Sequence, residues 1–267
     1  MILSTHSRCR GFTLVELIAV LVILGIVAAI GSQFVVTTID SYDAVQKRTK
    51  LMNRGRVVIE QMTRQIRGAL PNSVRVSGTG NCVEFMPLVA GTNYIGSVPD
   101  ANNGAASSSS VNTAPFSFST DSTATQLVIG ALDSSEIYAS GSPNSRVATS
   151  LAGGGPYTAV AFSSSHQFIR NSTSQRVFLA GDPMRFCLIG STLYEYSSYG
   201  LLTSGLNDIS PGGSSAIMSE DVSTPTQAFF IADGTENVNT SLTVSLGFNI
   251  GGQQADLTQE VLIRNVP

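Results

Sequence analysis

Residues 11–39 read GFTLVELIAVLVILGIVAAIGSQFVVTTI, and between Phe12 and Ile39 the only charged side chain is Glu16. The run exceeds the ~20 apolar residues that cross a bilayer core. As an α-helix it would be roughly 42 Å long at a rise of 1.5 Å per residue. Ahead of it stands MILSTHSRCR, basic through Arg8 and Arg10 and without an acidic residue. That asymmetry favours a cytoplasmic N-terminus, although Lys47, Arg48 and Lys50 follow the run closely. A secretory signal peptide cut near Ala29-Ile30-Gly31 competes with a retained anchor. Glu16 weighs against it, because an acidic residue at mid-membrane costs roughly 2.5–3.5 kcal/mol. Near the end of the span the cost is smaller, but the carboxylate still needs a partner.

Moving outward, helical periodicity continues past the apolar run. Tyr42, Val45, Met52, Ile59, Met62, Ile66 and Ala69 form one apolar stripe, flanked by Arg54, Arg56, Arg64 and Arg67. Gly68-Ala69-Leu70-Pro71 supplies the stop. One helix of about 55 residues from Phe12 to near Leu70 is expected, its first half in the membrane and its second half covering a sheet. The basic cluster reads as a solvated face with headgroup contacts. Gly25, Ala28, Ala29 and Ser32 offer small side chains to neighbouring helices.

After Val74 the texture becomes that of strands and loops. Short strands are expected at 82–86, 126–129, 159–162, 176–179, 185–189 and 192–196. The alternation in 241–250 and the apolar 257–263 flank Gly251-Gly252 as a hairpin closing an antiparallel sheet. Ala101–Thr125, with Asp121 its only charge, reads as a polar loop. A long helix followed by an antiparallel sheet makes the fold class α+β.

Composition narrows the function. Charged residues make up 12% of the 267, about half the ~25% of a typical soluble domain. Residues 1–68 hold nine basic and four acidic side chains, whereas 69–267 hold six and fourteen. The acidic body argues against non-specific nucleic-acid binding. Lysine occurs only at 47 and 50, which removes a P-loop or Schiff-base lysine from the body. The two histidines, His6 and His166, leave little for zinc. Ser163-Ser164-Ser165-His166 reads as a polar loop, not as part of a catalytic triad. Asp221, Asp233 and Glu236 match no regular calcium loop. The expectation is a non-enzyme with no cofactor and no metal.

Arg10-Gly11-Phe12-Thr13-Leu14-Val15-Glu16 and the apolar helix behind it resemble the class III signal of type IV prepilins and type II secretion pseudopilins. The resemblance implies cleavage between Gly11 and Phe12, N-methylation of Phe12, and Glu16 as the fifth residue of the mature chain. Glu16 lies one helical turn from the Phe12 amine. Opposite charges ~4 Å apart attract by about 4 kcal/mol at an effective dielectric of 20, before desolvation. Between subunits the same attraction would fix the axial step of a filament. Gln33 departs from the proline that many major pilins carry there, so no kink is implied. Once a leader containing Cys9 is removed, Cys82 and Cys187 remain, and an oxidising periplasm permits their disulfide. Two buried free thiols are the alternative.

Ile59–Val74, Asn81–Pro87 and Val261–Pro267 resemble large minor pilins related to the J-type pseudopilin, and among them the MshO group of mannose-sensitive haemagglutinin (MSHA) pili. The implied fold is the pilin αβ-roll. The implied division is a leader over 1–11, a transmembrane helix half over 12–39, an amphipathic half over 40–70 and a β-rich body over 71–267. The implied role is a minor structural subunit at filament initiation or the tip. Its implied partners are other pilin subunits, the prepilin peptidase/methyltransferase, and the inner membrane with its assembly platform. Its route is a single-pass inner-membrane form, N-terminus cytoplasmic and C-terminus periplasmic, and then the cell surface. A minor pseudopilin of a type II secretion system is the alternative of the same origin. A tip adhesin binding carbohydrate or surfaces through its Ser/Thr/Asn-rich loops is the alternative of another class.

Overall fold

A computed structural model describes residues 11–232 and 240–263. In chain order the elements are α1 (Leu14–Arg67), β1 (Arg75–Val76), β2 (Cys82–Phe85), β3 (Leu88–Asn93), β4 (Ser108–Val128) and α2 (Ser134–Tyr138). They continue with β5 (Arg146–His166), β6 (Arg176–Ala180), β7 (Met184–Ile189), β8 (Thr192–Ser197) and β9 (Ser214–Ser219). The last four are β10 (Val222–Ser223), β11 (Phe229–Ala232), β12 (Thr240–Ile250) and β13 (Gln253–Ile263). The architecture is α+β: a long apolar N-terminal helix followed by an antiparallel β body. Residues up to Thr49 cluster as one unit and those from Lys50 onward as a second, with the boundary inside α1.

Helix α1 begins where its sequence supplies a cap. Thr13-Leu14-Val15-Glu16 is a capping-box pattern. The Glu16 N–H donates to Thr13 Oγ1 (3.3 Å) and the Leu17 N–H to the Thr13 carbonyl (3.2 Å). The helix ends as its last N–H groups tighten to i−3 bonds, Gly68 to Gln65 and Ala69 to Ile66, each 3.0 Å. The departing chain is then held by the body: Leu70 N–H donates to the Met86 carbonyl at 2.7 Å, and Leu88 N–H to the Gly68 carbonyl at 2.9 Å.

The expected single sheet is three. One runs β1-β2-β7-β8-β9, a second β3-β6-β4-β5, and the third sets β12 between β10 and β11 on one side and β13 on the other. The main core joins α1 to the first and third sheets through Leu51, Val58, Met62, Ile66, Phe85, Phe186, Phe229 and Phe248. The buried helix face thus starts at Leu51 and includes Gly55 and Val58, whereas the stripe read from sequence started at Tyr42 and Val45, both exposed. Gly55 is needed for close approach: a Cβ there would lie 2.4 Å from Leu257 Cδ1 and 2.9 Å from the Phe248 ring. A second core, with Val111, Leu127, Val160, Phe168 and Leu179, lies within the β3-β6-β4-β5 sheet.

Two segments read as loops are strands. Most of Ala101–Thr125 falls in β4, and Ser163–His166 ends β5. These two 21-residue strands pair antiparallel from Ser108↔His166 to Val128↔Arg146, with register shifts that bend the ribbon.

Candidate functional site

The N-terminal end of α1 combines three features. Phe12 is exposed and Thr13 caps the helix. Glu16 is the acidic residue of the first turn, where the helix dipole favours negative charge. Phe12 itself lies outside the helix, two residues before its first residue Leu14. Beyond it, α1 contains an 18-residue window of mean hydropathy 2.8, none of which is buried among the described residues. Phe12, Leu14, Leu21, Leu24, Ile30 and Phe34 each expose 60% or more of their surface. An all-round apolar helix without protein cover requires an apolar surrounding, either lipid or other helices. The helix has the length and composition to cross a membrane. His6 and Cys9 lie outside the described residues.

In the body, Cys82 and Cys187 are opposite one another in the β2–β7 register and are joined by a disulfide. Their Cα atoms are 4.2 Å apart, the close spacing of a non-hydrogen-bonded antiparallel pair. Both are fully buried beside Tyr196. The bond links residues 105 apart in sequence, so it ties the strand nearest the helix exit to the middle of the body.

Two residues along the same strands lies an ionic rung that the sequence reading did not find. Arg75, Glu84 and Arg185 face one another across β1, β2 and β7. Glu84 is fully buried, yet its carboxylate is saturated. Arg75 Nε donates at 2.6 Å, Arg185 Nη2 at 2.8 Å and Nε at 3.2 Å, and the Tyr199 hydroxyl at 2.9 Å. Arg75 also stacks on the Tyr138 ring, 3.7 Å from its centroid. Burial pushes the Tyr138 and Tyr199 hydroxyls up, with the Glu84 charge adding to it, so both remain protonated donors.

A second charged pair anchors α2. Arg170 makes a bidentate contact with Glu136, at 2.6 and 2.7 Å. Burial pushes the Glu136 carboxyl up, but the Arg170 bonds, the Leu132 N–H and the Ser145 hydroxyl together hold it below the usual carboxylate range. His166 is buried, its Nε2 3.2 Å from the Asn144 carbonyl oxygen and its ring edge-on to Phe168 at 4.8 Å. Burial pulls its pKa down, so it is a neutral core histidine. Of the candidate calcium loop, Asp221 turns between β9 and β10 and accepts from the Asn249 N–H, while Asp233 and Glu236 lie outside the described residues.

The β4–β5 ribbon carries an aromatic cluster of Phe116, Phe118 and Tyr157, with ring centroids 5.8–6.2 Å apart. All three are half-buried among Ser, Thr and Gly. Period-two alternation in Phe116-Ser117-Phe118-Ser119 was the available signal for a strand here.

Residues 6–32 match the prokaryotic N-terminal methylation motif. No curated protein and no solved structure matches the chain. The motif indicates a precursor of the type IV pilin-like or pseudopilin kind. It implies processing by a prepilin peptidase and assembly with other pilins, and suggests a structural subunit.

Proposed function

We propose that the chain is a minor structural subunit of an MSHA-like type IV pilus, acting in the initiation or at the tip of filament assembly. In this reading residues 1–11 are a leader removed between Gly11 and Phe12, and Phe12 is then N-methylated. Residues 12–39 hold the subunit in the inner membrane with the N-terminus cytoplasmic, 40–70 continue the helix and cover the sheet from Leu51 onward, and 71–267 form the periplasmic and later extracellular body. The observation that carries the proposal is the coincidence of the methylation motif with a helix whose apolar N-terminal stretch is left exposed among the described residues. A filament interior built of such helices would cover it.

Glu16 is the assembly residue of this account. It has no core contact to lose, and its removal eases residence in lipid. The Glu16→Ala variant is therefore expected to be stable, inserted and cleaved, but depleted from sheared filaments relative to membranes. Incorporation at the wild-type level would remove the registration role.

The aromatic cluster favours a second reading, a tip adhesin. Half-buried aromatic faces ringed by hydroxyls and free of charge suit the apolar face of a sugar ring. Glycan binding that is lost in Phe118→Ala would support it.

A further inference from the structure

The third sheet ends on β13, whose only strand partner among the described residues is β12. Its eleven residues pair with β12 in unbroken register, with neither a bulge nor a proline to blunt the outer edge. The direction of its free backbone groups follows from the hairpin. Gly251-Gly252 is a two-residue turn, so Ile250 and Gln253 form the first hydrogen-bonded pair and bonded pairs alternate from there. Two observed bonds fix the phase independently. Ser245 N–H goes to the Ala228 carbonyl and Asn249 N–H to the Asp221 carbonyl, both away from β13. The partners of those residues, Thr258 and Gln254, therefore turn their own N–H and C=O outward, as do Asp256, Glu260 and Leu262.

A helix face lies beside this open edge. Arg56, Glu60, Thr63 and Arg67, spaced 4, 3 and 4 residues apart, form one stripe of α1 that bounds a groove with Leu257, Thr258 and Gln259. The Gln259 side chain shares its strand face with Ala255 and Val261, yet they are buried and it is exposed. One strand position beneath the helix is thus unfilled. Thr63 lines this groove and is only 8% exposed, and its hydroxyl is buried without a hydrogen-bond partner among the described residues. Arg56 and Arg67 are exposed and make no ion pair among the described residues.

We infer that the β13 edge and the Arg56–Arg67 stripe together bind an extended acidic segment of a partner protein as an added strand. Outward groups of Thr258 and its neighbours supply main-chain bonds, and the helix stripe reads the side chains that face it. Arg56 and Arg67 are about 16.5 Å apart along the helix, the reach of roughly five strand residues. Carboxylates toward both ends of the segment meet the two guanidinium groups. Glu60 between them disfavours a third carboxylate, so an uncharged side chain fits the middle. On the pilus reading the partner is a neighbouring subunit, but the groove's chemistry does not depend on that reading.

The test uses the full-length chain in detergent micelles and labelled seven-residue peptides, read by fluorescence anisotropy at low salt. The peptides alternate Thr with a variable face, whose end positions are Asp, Ser or Lys and whose middle positions are Ser. The Asp-ended peptide is expected to bind at least tenfold more tightly than the Lys-ended one. Arg56→Glu combined with Arg67→Glu should reverse that order, a gain of Lys-peptide binding that a misfolded variant cannot give. Thr258→Pro, which removes an outward N–H while leaving the β12 ladder intact, should abolish binding of both. Absence of saturable binding, an unreversed order, or binding unaffected by Thr258→Pro overturns the inference. Self-association of the chain that Thr258→Pro abolishes would also overturn it, by giving the edge to a second copy. Peptide binding with the expected signs in a protein never found in filaments would instead count against the pilus reading alone.

Discussion

Replacing Glu84 by Gln preserves shape and removes one charge from the most buried ionic group in the body. Glu84 is 0% and the Arg185 side chain 1% exposed, with Arg75 at 13%. The wild-type rung holds two guanidinium groups against one carboxylate, and the variant leaves both cations uncompensated. Gln can accept at its carbonyl oxygen, but its amide nitrogen turns a donor toward a guanidinium. Removing one partner of a buried ion pair costs about 3–5 kcal/mol. That is a large part of a total stability of roughly 5–15 kcal/mol. For a body of this size it corresponds to a fall in Tm of roughly 6–20 °C. Thermal unfolding of the full-length chain in micelles, followed by near-UV circular dichroism of the tyrosines, measures it. Glu220→Gln, at an exposed carboxylate, is the control and should change stability by no more than ~0.5 kcal/mol. A loss below about 1 kcal/mol for Glu84→Gln would refute the reasoning, since it would mean that water reaches the rung or that the carboxylate is not needed there.

Two further predictions rest on buried groups in the same body. The pKa of His166 is lowered in the folded state, so the unfolded chain takes up the proton first as pH falls. Stability should be full above the unfolded value near 6.5 and decline below it, and His166→Gln should flatten that decline when melting is compared at pH 7.5 and 5.5. Opening the Cys82–Cys187 bond by Cys82→Ala with Cys187→Ala should cost up to about 4.7 kcal/mol by chain entropy for a loop of this length. Urea unfolding with and without reductant measures that loss, and recovery of both thiols in free form from the wild-type protein would contradict it.

The parts of the fold legible in sequence are those where one interaction dominates. The α1 helix is such a case, because an uninterrupted apolar run meets a Thr-x-x-Glu cap at one end and Gly68–Pro71 at the other. Strands β2, β7, β8 and β12 are legible from apolar side chains and β-branched residues. Strands β4 and β5 hide because Ser, Thr, Asn and Gly form their ladder, and five register shifts break the alternation that a strand pattern relies on. The Arg75–Glu84–Arg185 rung was invisible for another reason. Each charge looks like a solvated residue until β7, about a hundred residues on, is laid beside β1 and β2. The groove was half legible: Arg56 and Arg67 stood out as basic residues, but the open β13 edge beside them is a property of pairing, not of composition.

The central claim is that the chain is a processed, filament-forming subunit, and N-terminal mass analysis of the protein from sheared filaments and from membranes tests it most directly. The account predicts a mature chain beginning at Phe12 and carrying one added methyl group, with Gly11→Leu blocking the cut. A mature chain beginning near Ser32, or an intact leader in the wild-type protein, would contradict it.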